Sequence, residues 1–228
     1  MNRASTKAAQ VAPLVLFDLD GTLVDSAIDL WAAMNVILVR EGRAPMPLAD
    51  LRPAVSRGGR AMLASAFPDL DADARESRLQ PFLDVYAAAV AVQSTAFDGI
   101  AEVLVAIESA GARWGVVSNK PHYLAVPVVH SMGWASRCCA LYGGDSLPRK
   151  KPDPDQLLAA AADAGVAAGE CVYVGDDERD IQAARRAGMK SVAALWGYRL
   201  AGDDPAAWAA DVYCDAPRDL LAPGVLAR

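Results

Sequence analysis

Two aspartates, Asp18 and Asp20, close the apolar run VAPLVLFD (11–18) and stand one residue apart in the string FDLDGTLVDS. Acids so near each other repel unless a cation or a shared proton compensates, and their roles then separate. One carboxylate can attack phosphorus, giving an aspartyl-phosphate that splits a hard hydrolysis into two displacements. The other can protonate the leaving alcohol and later activate water. Gly21 lets the chain turn away sharply after them. Taken alone, the pair reads better as a capping turn in which Asp20 and Thr22 start a helix.

Other apolar runs end in polar residues of complementary chemistry. VVSNKP offers the hydroxyl of Ser118 and the amide of Asn119, which can donate to phosphate oxygens, although the dipeptide is also a common turn. KKPDP offers an ammonium able to neutralise a transferring phosphoryl group, at Lys151 or its neighbour Lys150. VGDDERDI places Asp176, Asp177, Glu178 and Asp180 after Gly175. Such a cluster suits a hard cation such as Mg²⁺, which takes one or two carboxylates and keeps several waters. It also suits a helix start where acids favour the dipole, and Asp177 and Glu178 fit that plainer role.

The elements that must carry these residues are legible from pattern. VAPLVLFD, RWGVVSN (113–119), CCALYGG (138–144), CVYVGDD (171–177) and KSVAALWG (190–197) read as buried parallel strands. Ala-rich helical segments lie between the later ones, and strand alternating with helix means a doubly wound, mostly parallel α/β sheet. In such a sheet the ligand crevice lies beyond the carboxyl ends of the strands, where the polar residues fall. The stretch 26–95 breaks the rhythm. It shows no convincing strand, and Leu30, Ala33, Met34, Ile37 and Leu38 recur at helical spacing, so it reads as an inserted helical domain with those residues in its core. Pro45, Pro47, Pro53 and Gly58-Gly59 mark turns within it, and DVYCD near the C-terminus is a further strand candidate.

With 228 residues, 54% of them hydrophobic, the chain can bury a full core. A net charge of −6 argues against nucleic acid, whose binders cluster Lys and Arg, and leaves room for a small anionic substrate. Cys138, Cys139, Cys171 and Cys214 form no C-x-x-C pair and read as reduced thiols. Arg3 and Lys7 precede an apolar run as in a signal peptide, but Asp18 and Asp20 interrupt it early. No apolar stretch suffices to span a membrane. The expected location is the cytoplasm, with no membrane or protein partner implied.

The string DLDGTLVDS resembles the first signature of the haloacid dehalogenase superfamily, and Ser118, Lys151 in a K-P-x-P pattern and GDDERDI resemble the later ones in order. The resemblance implies a core of residues 1–25 and 96–228, with a cap of residues 26–95 between the first and second motifs. It implies a Mg²⁺-dependent phosphatase acting on a small phosphorylated metabolite, with Asp18 as nucleophile, Asp20 as general acid and base, and Lys151 neutralising the phosphoryl group. Thr22, Ser118 and Asn119 are expected at the phosphate. The metal is expected on Asp18, the backbone carbonyl of Asp20 and Asp176, with Asp180 holding a metal water or Lys151. Within the superfamily the chain is similar to the phosphoglycolate phosphatase branch, through VVSNKP, KKPDP and the WGY string at Trp196–Tyr198. VSRGGRAM departs from the G-x-G-type cap loop of glycolate enzymes. Together with WGVVSNKP, GDDERDI and DDPAAWAADV, it looks closer to bacterial N-acetylmuramic acid 6-phosphate phosphatases. Arg57 and Arg60 are then candidate readers of a substrate carboxylate or phosphate, and His122 is a surface residue. A β-phosphoglucomutase-like phosphotransferase shares every motif; a dehalogenase would not carry an acid at position 20.

Overall fold

The structure, a computed structural model, describes residues 10–227; Arg3 and Lys7 lie outside them. Its elements run β1 (Leu14–Phe17), β2 (Val24–Asp25), α1 (Ala27–Arg40), α2 (Leu48–Leu51), α3 (Gly59–Ala66), α4 (Ala72–Glu76), α5 (Leu79–Ala87), β3 (Thr95–Ala96), α6 (Ile100–Ser109) and β4 (Arg113–Val117). They continue with α7 (His122–Ser131), β5 (Leu141–Tyr142), α8 (Asp155–Asp163), β6 (Cys171–Gly175), α9 (Glu178–Ala187), β7 (Lys190–Ala194) and β8 (Val212–Cys214). Short 3₁₀ turns fill several of the connections.

The main sheet is parallel throughout, in the order β5-β4-β1-β6-β7-β8. Side chains of successive strand residues point to opposite faces, and the core divides accordingly. Val15, Phe17, Val172 and Val174 pack with α6 and α7 through Val103, Leu104, Ala125 and Val128. Leu14, Leu16 and Tyr173 pack with α8 and α9 through Leu157, Ala160, Ala183 and Ala184. Because both faces are covered, β1 is buried at every position and reads as an unbroken apolar run. β1 sits where the strand order reverses, with β4 on one side and β6 on the other. Phe17 aligns with both Val116 and Val174, so Asp18, Ser118 and Asp176 all leave the sheet at nearly one level.

Helices α1 to α5 form a second cluster around Met34, Leu38, Leu63, Phe67, Phe82 and Tyr86, joined by Leu124 and Tyr198 from the sheet domain. β2 and β3 pair antiparallel where the chain leaves for and returns from these helices, through Val24↔Ala96 and Asp25↔Thr95. The sequence shows no sign of this ladder, since two residues are too few for a period of two to register. β8 forms the edge strand at the DVYCD string, and β5 is shorter than its apolar run. All four cysteines are free thiols. Among the described residues no helix is long and apolar enough to cross a membrane.

Candidate active site

Asp18 follows β1 directly, and its amide donates to the Val174 carbonyl at 2.9 Å, so the backbone is tied to β6 up to the functional residue. The carboxylate accepts from Leu19 N at 2.7 Å and from Lys151 Nζ at 3.0 Å. Lys151, although fully enclosed, has an acceptor for each of its three hydrogens: Asp18, Asp180 Oδ1 at 2.7 Å and the Tyr173 hydroxyl at 2.8 Å. Burial alone would lower its pKa, but Asp18 and Asp180 outweigh that and hold the ammonium charged. Tyr173 in turn donates to the Val117 carbonyl, which pins the group to the sheet.

Asp176 is the most constrained acid. Its Oδ1 accepts from the Thr22 hydroxyl at 3.0 Å, and its Oδ2 accepts from Tyr198 N at 2.9 Å and the Ser56 hydroxyl at 2.5 Å. Glycines wall it in. A Cβ on Gly21, which sits at φ +91°, would lie 2.2 Å from Asp176 Oδ2, and one on Gly197 would lie 2.3 Å from Asp176 Cβ. Burial first, then the charges of Asp18 and Asp180, push its pKa well above the carboxylate range. Asp180 is raised to about 6 by burial despite the opposing pull of Lys151. Its oxygens are committed to Lys151 and to the Asp177 amide, inside the capping box that starts α9.

Oxygens of Asp18, Asp176 and Asp180 all lie within 4.8 Å of one another. Three buried carboxylates around one ammonium leave negative charge uncompensated, and every available donor is a hard oxygen. That donor set fits Mg²⁺. Asp180 is bound to Lys151 and the Asp177 amide, Asp18 to Lys151 and the Leu19 amide, and Asp176 to Thr22, Ser56 and the Tyr198 amide.

Asp20 lies beside this cluster and faces a different partner. Its carboxylate accepts from the Ser26 hydroxyl at 2.5 Å and from Lys120 Nζ at 3.0 and 3.2 Å, and Lys120 also donates to the Tyr86 hydroxyl at 2.9 Å. Burial opposes the Lys120 charge, but Asp20 more than offsets it and the pKa rises. Sequence reasoning missed Lys120, Ser56 and Tyr198. Lys120 stood in the SNKP string itself, whereas nothing near Ser56 or Tyr198 in sequence connects them to Asp176.

Ser118 is buried after β4, with its amide bonded to the Tyr142 carbonyl. Asn119, expected at a phosphate, lines the cavity, and its amide donates one hydrogen bond to the Lys151 carbonyl at 3.0 Å. Its Oδ1 is buried with no partner among the described residues. Thr22, also expected at the phosphate, gives its hydroxyl to Asp176. Arg60 is exposed and paired with Glu76 at 2.6 Å, and Arg57 reaches core carboxylates. Asp177 caps α9, Glu178 is exposed, and His122 starts α7 beside Ser146, half-buried.

A cavity of about 340 Å³ opens over Asp18 and Asp20 between the two domains. Ser118, Asn119 and Lys120 line its floor. Its roof is mostly apolar, built by Val55, Met62, Leu79, Leu83 and their neighbours.

A carboxylate paired with a charged lysine beside two further buried acids, at the reversal point of a doubly wound sheet, is an arrangement able to handle a phosphoryl group. The comparisons with known proteins agree: the chain belongs to the haloacid dehalogenase-like hydrolases, whose family model matches residues 12–188. It is 56% identical over 209 residues to a phosphoglycolate phosphatase of Xanthomonas campestris, covering 92% of this chain and 95% of that one. It is 44% identical over 208 residues to the N-acetylmuramic acid 6-phosphate phosphatase of Pseudomonas aeruginosa, covering 91% and 92%. The crystal structure of a predicted phosphoglycolate phosphatase from Haemophilus somnus superposes with a TM-score of 0.81 at 27% identity, covering 92% of this chain and 96% of that one. The protein is thus a phosphatase of this family.

Proposed function

We propose that the protein is a Mg²⁺-dependent phosphomonoesterase that hydrolyses N-acetylmuramic acid 6-phosphate in the cytoplasm, as a step in the recycling of cell-wall sugars. The cavity carries this reading. A space of about 340 Å³ with an apolar roof suits a sugar bearing acetyl and lactyl methyl groups, whereas a two-carbon acid would leave most of it to water. The VSRGGRAM loop and the 44% identical relative support the same substrate.

Asp18 attacks phosphorus and carries the phosphoryl group as an aspartyl-phosphate while the sugar leaves. Asp20 gives its proton to the leaving oxygen, then takes one from the water that hydrolyses the intermediate, restoring both carboxyls. Lys151 and Ser118 hold phosphoryl oxygens, with Asp180 and Asn119 keeping Lys151 in place. Asp18, Asp176 and the backbone carbonyl of Asp20 would hold Mg²⁺, which would supply neutralisation of the phosphoryl charge.

Hydrolysis of 2-phosphoglycolate is the second reading, favoured by the 56% identical relative. Phosphate release from both esters, compared as kcat/KM with and without Mg²⁺, separates them. A preference of about tenfold or more for the sugar ester is expected. A preference for glycolate overturns the assignment. Release of an isomeric sugar phosphate in place of inorganic phosphate would instead indicate a phosphotransferase.

A further inference from the structure

The cap loop singled out in the sequence, Ser56 to Arg60, meets the sheet domain through charge. Arg57 Nε lies 3.0 Å from Asp177 Oδ2, and its Nη2 lies 2.8 Å from Asp203 Oδ1. Asp203 stands in the loop after β7, where its other oxygen accepts from Leu200 N. Asp177 is shared: Arg179 Nε donates to its Oδ1 at 2.7 Å, and Arg179 Nη2 donates to the Ser56 carbonyl at 2.6 Å. The same Ser56 sets its hydroxyl 2.5 Å from Asp176 Oδ2.

These contacts redefine Arg57. Its guanidinium faces core carboxylates on two edges, through Nε and Nη2. Of the side chains and amides that hold Asp176, Thr22 and Tyr198 belong to the sheet domain, and only Ser56 arrives with the cap. We infer that Arg57 is a positioning residue which, by bridging Asp177 and Asp203, closes the cap loop on the core and sets the Ser56 hydroxyl against Asp176. Ser56 thereby adds a third hydrogen bond to a carboxylate that Thr22 and the Tyr198 amide already hold from the sheet side. The inference goes beyond the choice of substrate, because it applies to every ester the site turns over.

Losing Arg57 leaves Asp177 paired with Arg179 and still accepting from the Arg179 amide, so the start of α9 keeps its cap. The test uses the full-length protein with Mg²⁺ and the variants Arg57→Ala, Arg57→Lys and Asp203→Asn. Rates are measured on N-acetylmuramic acid 6-phosphate and on p-nitrophenyl phosphate, and amide hydrogen exchange is followed at residues 55–60. Arg57→Ala is expected to lower kcat about tenfold by the same factor on both esters, with KM nearly unchanged and faster exchange in the loop. Asp203→Asn, remote from the reacting atoms, is expected to reproduce part of that loss. The double variant should be little worse than Arg57→Ala, because both changes remove one tie, and Arg57→Lys should recover part of the rate. A loss confined to KM on the sugar ester, with exchange unchanged, overturns the inference and makes Arg57 a reader. So does an Asp203→Asn variant with full activity and normal exchange. If only the aryl ester is turned over, the substrate reading falls while this comparison stands on that ester and on the exchange.

Discussion

The two walls of the cavity are built on opposite plans. On the sheet side, Asp18, Lys151, Asp176 and Asp180 are buried, and each is held by partners from several strands and loops. On the cap side, the lining is mostly apolar, and the cationic residues that border it are committed: Arg57 to Asp177 and Asp203, Arg60 to Glu76. Reaction and selection are therefore largely separated, with Ser56 and Arg57 the points where the cap side reaches the charged wall. Charge that must act at a defined point is fixed on strand ends, whose hydrogen bonds prevent drift. Shape that must fit a substrate is carried by apolar side chains such as Met62, Leu79 and Leu83, none of which bonds to that charge.

The largest effect on the sheet wall is expected at Asp18. Asp18→Asn keeps the shape and every neighbour but replaces the attacking oxygen with a poor nucleophile. Turnover is expected to fall by about 10⁴-fold or more, with the thermal midpoint nearly unchanged. Stopped assays and a melting curve check both halves, and substantial activity in a verified variant would remove Asp18 from the mechanism.

A second substitution asks whether the sheet wall holds its charge at a cost. In the metal-free protein Asp176 is buried beside two other acids, an arrangement that suits a cation better than folding. Asp176→Asn removes that repulsion. The Asn oxygen can still face Tyr198 N and Ser56, while the Thr22 hydroxyl can rotate to accept from the new amide. Stability without metal is expected to rise by about 1 kcal/mol, or about 2–4 °C in Tm for a chain of this size. Mg²⁺ is expected to raise the Tm of the parent, and in the variant that increase should vanish along with turnover. A variant less stable than the parent without metal would show that the Asp176 hydrogen bonds outweigh the repulsion.

The cap wall should answer differently. Leu83 lines the cavity and is only partly buried, so trimming it alters shape with little effect on the cap core. Leu83→Ala is expected to lower kcat/KM for the sugar ester about tenfold and to change the glycolate ester by less than about threefold. Equal losses on both would mean that the apolar roof serves closure and not selection.

The two walls also differed in how plainly the sequence announced them. Asp18, Ser118 and Asp176 each end an apolar run, and parallel strands in register deliver such residues to one edge however far apart they stand in the chain. The four-strand centre of the sheet and the helices between β2 and β3 were legible for the same reason: long runs with a clear period. Partnership was not legible. Whether Asn119 faces a phosphate or the Lys151 carbonyl depends on one side-chain rotation, and whether Arg57 reads substrate or Asp203 depends on how two domains meet. Lys120 was visible as a charge, but its grip on Asp20 and Tyr86 needs α5 and α7 to converge. The β2–β3 ladder, at two residues a side, carries no pattern at all.

That ladder sets the smallest effect, at the junction between the walls. Asp25 of β2 pairs with Arg52 at 2.7 Å and accepts from the Tyr198 hydroxyl at 2.7 Å, while the Tyr198 oxygen accepts from the amides of Ser26 and Ala27. Burial alone would raise the Asp25 pKa, but Arg52 and Tyr198 outweigh it and hold the carboxyl below its ordinary value. A depressed carboxyl adds stability above its unfolded pKa of about 4 and loses it as pH falls through the folded value. Asp25→Asn should therefore cost stability at neutral pH and cost progressively less below about pH 4, where the parent loses the same contribution. The size is about 1 kcal/mol or less, because the Arg52 side chain is 38% exposed and water screens the pair. Chemical denaturation of parent and variant at pH 7 and pH 3 measures it. A difference that stays constant across that range would mean that the hydrogen bond from Tyr198, and not the charge of Asp25, joins cap to core at this strand.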